Sequence, residues 1–343
     1  MAEALPLQLM TLYQELVDTH LSRTPSAGPT GAPFKRTVRG KTYWYASDRT
    51  GSHVVQRYIG PDNEETNARL PEIEARRDVT EAFERRCGDM VAQLRAARLP
   101  TLDAASGSLL ASLSVQGVFD LGGTLVGTMA FRLYDAEIGR RVTRIEPALT
   151  QDIDIASYQN LSIALADDAA LSLKDLPMAL AKFGLEVTPS IDPKGRSGRW
   201  RRKTGEPVLD FLAPSFEEDQ DLVWLEALGV WAQGLHYLNY LLADPIPAVG
   251  LYRQGVLVRI PRPERFAIHK LIVAQQRTGA GIAKRRKDLG QAQALIISLA
   301  EDRPAELKQA YETAMEQGPK WREAIGASLA MVGDEARAVF MEF

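Results

Sequence analysis

Cysteine is nearly absent from this chain: Cys87 is the only one in 343 residues, which excludes an internal disulfide framework and a cysteine-rich zinc site. Histidine is scarce as well, and His20, His53, His236 and His269 lie too far apart to show metal-ligand spacing. No apolar run reaches 18 residues, and the N-terminus has no basic segment followed by an apolar core. Neither a signal peptide nor a membrane span is therefore expected, and the expected compartment is the cytoplasm. An excess of one charge is also missing: 41 basic residues stand against 44 acidic ones, for a net charge of −3. That balance gives no global attraction to nucleic acid, so any such contact must come from local patches. With 45% hydrophobic residues the chain can build true cores, and its length suits two or three domains.

The strongest signal present is a pair of acids. Asp152 and Asp154 sit in the run Ala148-Leu-Thr-Gln-Asp-Ile-Asp-Ile-Ala156, which reads as a buried strand. Alternation sends residues i and i+2 to one face, roughly 7 Å apart, with Ile153 and Ile155 on the other. Two carboxylates on one face repel each other and call for a cation, and hard oxygen ligands suit Mg²⁺. An Asp-x-Asp pair also occurs in solvated turns, so its neighbours must decide.

Upstream, the segment Gly117 to Tyr134 reads as a strand, a glycine turn at Gly127-Thr128, and a helix from Met129 to Tyr134. A glycine followed by a small hydroxyl residue lets backbone N–H groups approach a phosphate. The plainer reading is a turn residue after a strand. Downstream, Val208-Leu-Asp-Phe-Leu-Ala-Pro214 is a short apolar strand whose only charge is Asp210. An acid there is costly to bury without a cation or hydrogen bonds, which makes Asp210 the third candidate carboxylate. The preceding Trp200 to Pro207 reads as a hairpin turn.

In this order, Val126-Gly127-Thr128 followed by Asp152-Ile153-Asp154 resembles the nucleotidyltransferase superfamily with the DNA polymerase beta-like fold. The turn Gly127-Thr-Met-Ala-Phe131 is distantly similar to the nucleotidyltransferases of type IV toxin and antitoxin systems. Thr128 stands where the signature has Gly or Ser, and 24 residues separate Gly127 from Asp152, which calls for an insertion around Gly139 to Pro147. Gly122-Gly123 is an alternative alignment of the glycine element. The resemblance covers about residues 115 to 300. It implies two Mg²⁺ ions held by Asp152, Asp154 and Asp210, an NTP as substrate cradled at Gly127 and Thr128, and transfer of a nucleoside monophosphate to an acceptor hydroxyl that Asp210 helps deprotonate.

The rest of the chain is read more coarsely. A helix is expected over residues 4 to 22, a Ser/Pro/Gly-rich linker over 23 to 33, a β-hairpin over 34 to 60, and a long charged helix from Glu64 to Arg98. The hairpin interleaves aromatic and basic residues, a pattern compatible with stacking on bases and equally natural on a solvated sheet. After the first acids, Ser162 to Ala170 reads as a strand-to-helix passage and Asp175 to Phe183 as an amphipathic helix. Asp192 to Lys203 reads as a loop with six basic residues, suited to a triphosphate or an RNA backbone, or to a solvated tip. The last third is helical. There Phe266 to Ala274 and Lys284 to Leu295 resemble helices of the related nucleotidyltransferases. By that resemblance Lys270 approaches the nucleotide phosphates, Lys284 and Lys287 assist, and Asp288 orients a basic partner.

The expected architecture is α+β: an N-terminal accessory region (residues 1–99), a nucleotidyltransferase core with a mixed sheet flanked by helices (100–215), and a C-terminal helical domain (216–343). Three function classes follow. The first is a Mg²⁺-dependent nucleotidyltransferase acting on RNA, a protein hydroxyl or a small molecule. The second is a nucleotide- or nucleic-acid-binding protein that kept the fold and lost catalysis. The third is a toxin or defence factor with a cognate antitoxin as partner. No membrane partner is expected.

Overall fold

The computed structural model describes residues 2–23, 28–50, 53–145, 152–159, 176–189, 192, 194–202, 205–215 and 222–341. The passage expected from Ser162 to Ala170 lies outside them, as does Lys203. The chain divides into two compact units, one of residues 11–115 and 249–257, the other of residues 1–10, 116–248 and 258–343. Among the described residues no helix is long and apolar enough to cross a membrane.

In the unit of residues 11–115 and 249–257, the expected hairpin is a three-stranded antiparallel sheet: β1 (Ala32–Val38), β2 (Lys41–Thr50) and β3 (His53–Pro61). The first arm breaks because Arg39 and Gly40 both take positive φ, 50° and 78°, as a two-residue hairpin turn requires. Gly40 was the signal for it, and the aromatic residues on either side read as one continuous strand. One sheet face packs Trp44, Ala46 and Ile59 against Leu70 and Ile73 of the helix Glu64–Ala96. That helix starts where its cap dictates: Asn63 accepts a hydrogen bond from the Thr66 N–H at 2.9 Å, and Glu64 and Glu65 meet the positive end of the dipole.

The other unit is built on a seven-stranded mixed sheet. Its strands are β4 (Thr124–Val126), β5 (Ile153–Ala156), β6 (Leu185–Val187), β7 (Arg199–Arg202), β8 (Gly205–Pro214), β9 (Leu222–Leu225) and β10 (Val230–Leu235). The order is β4-β5-β8-β10-β9, with β7 on β8 and β6 on β7. β8 runs parallel to β5 and β10 and antiparallel to β7. The sheet thus continues past residue 215 into the stretch read as helical. There Val223, Leu225, Val230 and Ala232 are buried in alternation with half-buried neighbours, the strand period that a helical reading overlooks. Part of the supposed basic loop is likewise a strand, with Trp200 buried between exposed Arg199 and Arg201.

Along β8, Leu209, Phe211 and Ala213 are fully buried on one face, so Val208, Asp210 and Leu212 stand on the other. Ile153 and Ile155 do the same for Asp154. The chain after β4 folds as two short helical pieces, Gly127–Phe131 and Tyr134–Ile138, in place of one helix from Met129 to Tyr134. Phe131 and Tyr134 pack on Phe266 with ring centroids 6.1 and 5.2 Å away, and the Tyr134 hydroxyl donates to the Pro261 carbonyl at 2.9 Å. Each such ring contributes on the order of 2 kcal/mol by burial. The cluster fixes the helix Pro263–Gln276 against the segment that follows Gly127. The helices Ile282–Asp302, Pro304–Glu316, Pro319–Leu329 and Asp334–Met341 complete the unit.

Candidate active site

Strand register builds the acidic side of the site. Val126 pairs with Asp154 across β4 and β5, Asp154 with Asp210 across β5 and β8, and Asp210 with Arg199 across β8 and β7. Four consecutive strands therefore present one row, Val126, Asp154, Asp210 and Arg199. Asp152 precedes β5 by one residue, and it lines the same cavity of 480 Å³ as Asp154 and Asp210. That volume falls within the range of small-ligand sites, about 300–1,000 Å³.

Burial, and then the negative charges of Asp210 and Asp152, push the Asp154 carboxyl up to about 6, although Lys270 and Arg199 pull the other way. Arg199 answers part of this charge. Its Nε donates to Asp210 Oδ1 at 2.8 Å and its Nη2 to Asp210 Oδ2 at 2.7 Å, a bidentate fork.

Gly127 lines the cavity at the end of β4, with φ at 65°. A Cβ there would collide with Asp154 Oδ2 and lie 3.3 Å from its Cγ. The glycine is needed because a carboxylate occupies the space where its side chain would go. Thr128 follows it, buried and also lining the cavity. Gly122 and Gly123, the alternative glycine pair, are not among the residues that line it, and a Cβ on Gly123 would meet the Val118 carbonyl at 2.6 Å.

Helices supply the basic side. Lys270, from Pro263–Gln276, is buried and donates to Asp288 Oδ1 at 2.5 Å, while Arg277 Nε donates to Asp288 Oδ2 at 3.0 Å. Burial pushes the Asp288 carboxyl up, but Lys270 and Arg277 more than offset it and leave it below the ordinary value. One carboxylate thus holds two cations. Lys284 and Lys287 line the same cavity, and burial followed by the charge of Lys270 lowers the Lys287 ammonium. His269 also lines it: burial drives this ring down to about 3, so it is neutral, and among the described residues its Nδ1 has no hydrogen-bond partner.

All eight residues singled out from the sequence, Gly127, Thr128, Asp152, Asp154, Asp210, Lys270, Lys284 and Lys287, line this cavity. Of the six basic residues between Asp192 and Lys203, Arg199 lines it, while Arg196 Nη2 donates to Asp192 Oδ1 at 2.7 Å. Nothing in the local sequence marks Arg277 and His269 as site residues or pairs Arg199 with Asp210. Their positions depend on the β7–β8 register and on helix packing, which no local pattern carries.

The three acids are hard oxygen donors, and their mutual repulsion at Asp154 is the chemistry a divalent cation relieves. As the side chains stand, no three His, Cys, Asp or Glu residues among those described gather closely enough to enclose a metal ion. Arg199 holds both oxygens of Asp210, so this carboxylate joins such a site only when the fork opens. The basic side suits phosphate oxygens. A second cavity of 720 Å³ shares His236, Tyr237 and Gln276 with the first and is lined further by Asn239, Gln275 and Trp321.

A family model described as nucleotidyltransferase matches residues 104–316, and by that match the chain belongs to the nucleotidyltransferase family. Residues 3–75 match a second model, a domain of unknown function (DUF6788). No curated protein and no solved structure matches the chain.

Proposed function

We propose that this nucleotidyltransferase moves a nucleoside monophosphate from an NTP to an acceptor hydroxyl, with Asp152, Asp154 and Asp210 as its acidic centre. The observation that carries the proposal is the in-register pairing of Asp154 with Asp210 in a cavity that Lys270, Arg277, Lys284 and Lys287 also line. An NTP asks for both charges at once, cations for its phosphates and carboxylates for the metal it travels with. Mg²⁺ ions held by Asp152, Asp154 and Asp210 would polarise the α-phosphate and make the acceptor hydroxyl more acidic.

The chain's own residues do the remaining work. Gly127 leaves the Asp154 carboxylate room in the cavity. Lys270, aimed by Asp288, neutralises charge on the triphosphate and on the leaving pyrophosphate, with Lys284 and Lys287 beside it. Asp210, once Arg199 releases it, accepts the proton of the acceptor hydroxyl at a carboxylate oxygen. The second cavity would take the acceptor, because it shares His236, Tyr237 and Gln276 with the cavity of the acids and offers Asn239, Gln275 and Trp321 for hydrogen bonding and stacking. RNA, a protein hydroxyl and a small molecule are the acceptor classes in view. A toxin or defence setting, with an antitoxin as partner, would use the same chemistry and rests on the resemblance of the Gly127–Phe131 turn.

A second reading, a nucleotide-binding protein without transfer activity, is favoured by the Arg199 fork on Asp210. The deciding experiment incubates the protein with Mg²⁺ and each of the four α-labelled NTPs, using total RNA and protein as acceptors. The wild type is compared with Asp152→Asn plus Asp154→Asn. Label transferred by the wild type alone supports the enzyme and names donor and acceptor. Nucleotide binding without transfer, in every combination, supports the second reading.

A further inference from the structure

The three-stranded sheet of residues 32–61 has one covered face and one uncovered face. Trp44, Ala46 and Ile59 pack on the long helix, and Lys35 turns to the same side, its Nζ 2.7 Å from Asp62 Oδ2. The other face carries a row of rings, one from each strand. Phe34 pairs with Tyr45 across β1 and β2, and Tyr45 with Tyr58 across β2 and β3. Ring centroids are 6.0 Å apart in the first pair and 5.6 Å in the second, and Tyr43 stands 6.0 Å from Tyr58. Arg36 lies on this face too, its Nη1 donating to Gln56 Oε1 at 3.4 Å across the middle strand.

Tyr58 is the most open ring of the row, and Phe34, Tyr43 and Tyr45 are half-buried. Tyr58 and Val54 are each 56% exposed and Val38 is 39% exposed, all three on the ring-bearing side. A patch of this kind marks a binding surface. The charge around it selects the partner. Strand register puts Arg36 and Lys41 on this face beside Tyr43 and Val38, whereas Lys35 and Arg57 stand on the covered side with Trp44 and Ala46. A second copy of the chain would bring the same positive charge to the interface and be repelled. A polyanion with flat apolar groups fits both features.

We infer that this face is a platform for single-stranded nucleic acid. Unpaired bases stack on Tyr58, Tyr45 and Phe34, and the phosphates pair with Arg36 and its basic neighbours. The site belongs to the unit of residues 11–115 and 249–257 and stands apart from the transferase reading, so its test needs neither Mg²⁺ nor NTP.

The test is fluorescence anisotropy of the full chain in EDTA, with a labelled 12-nucleotide single strand and the matching duplex, over a series of salt concentrations. The wild type is expected to bind the single strand more tightly than the duplex, with affinity that falls as salt rises. Tyr58→Ala and Tyr58→Leu should weaken binding about 5- to 150-fold, and Tyr58→Phe should keep it, because the ring and not the hydroxyl stacks. Arg36→Ala should lower the salt slope by about 0.7. Tyr58→Leu keeps a strand-compatible apolar side chain, so a loss there at unchanged thermal stability reports stacking and not folding. Absence of binding, unchanged affinity in both Tyr58→Ala and Tyr58→Leu, preference for duplex, or a concentration-dependent dimer that Tyr58→Ala dissolves would each overturn the inference.

Discussion

Arg199 holds Asp210 by two hydrogen bonds, 2.8 and 2.7 Å long, so a guanidinium occupies both oxygens of the carboxylate that stands in register with Asp154. The arginine side chain is 55% exposed and that of the acid 18% exposed, so release is cheap for the first and leaves charge behind on the second. On the proposed function, Arg199 and a divalent cation would compete for the same oxygens. Arg199→Ala is expected to tighten Mn²⁺ binding about fivefold, the equivalent of ~1 kcal/mol for a half-exposed pair. Titration calorimetry at pH 7.5 reads it, and an affinity that stays level or falls would show that Arg199 helps to assemble the site instead.

Gly127 is expected to tolerate no side chain. Its φ of 65° and the collision of an added Cβ with Asp154 Oδ2 act together. Gly127→Ala should cost about 1–3 kcal/mol in stability and displace the carboxylate. Transfer activity should then drop at least ~100-fold, since small misplacements at a reacting centre are that costly. Equal activity in Gly127→Ala would mean that the Asp154 position is not critical.

Two groups of the cavity bend the pH dependence of stability in opposite directions. The Asp154 carboxyl rises from 3.8 to about 6, so the folded chain holds this proton more tightly than the unfolded one. Its contribution is fully present below 3.8 and is lost as pH rises through 6. His269 falls from 6.5 to about 3, so the unfolded chain takes up that proton first. Its contribution is present above 6.5 and is lost on acidification, at up to about 1.4 kcal/mol per pH unit. In EDTA, Asp154→Asn should stabilise the protein at pH 7.5 by up to about 3 kcal/mol and change it little at pH 4. His269→Gln should flatten the acid limb between pH 6.5 and 4. Urea unfolding at four pH values checks both, and parallel curves for all three proteins would refute the assignment.

The Lys270–Asp288–Arg277 group should be a stability element as well as a phosphate site. Side chains of Lys270 and Asp288 are 10% and 4% exposed, so removing one partner strands a buried charge. Asp288→Ala is expected to destabilise by about 3–5 kcal/mol. Lys284→Ala should leave the unfolding midpoint unchanged and raise the KM for NTP. A thermal melt and a substrate titration on the two variants distinguish the roles. A melting loss in Lys284→Ala would place that lysine in the fold and not in substrate binding.

The sequence showed most of the acidic side and little of what answers it. Asp152 and Asp154 are legible as a pair alternating with isoleucines, and Asp210 as the only charge of an apolar strand, because strand alternation assigns such residues to one face with their neighbours on the other. The long helix from Glu64 was legible from its length and charge, and its Asn63 cap fits the start. Arg199–Arg202 has the look of a loop because three arginines around a tryptophan suit solvent, whereas Trp200 is buried in a strand. Strands β9 and β10 carry little local signal, because each is short and no glycine-rich turn announces them. The turn at Arg39-Gly40 is hidden inside a run of aromatic residues that suits a single strand equally well.

By itself the sequence determined local facts: which acids interrupt apolar strands, where the strands around them alternate, and which lysines follow the proline that opens a helix. The tertiary structure decided which of these groups meet. The β5–β8 register sets Asp154 beside Asp210, the β7–β8 register puts Arg199 on Asp210, and helix packing through Phe131, Tyr134 and Phe266 carries Lys270 into the same cavity as the acids. The physical reason lies in range. Propensity and alternation act over a few neighbouring residues, whereas a charge is partnered by whatever the fold brings within a few ångströms, and Lys270 and Asp288, 18 positions apart in the chain, meet only because two helices pack.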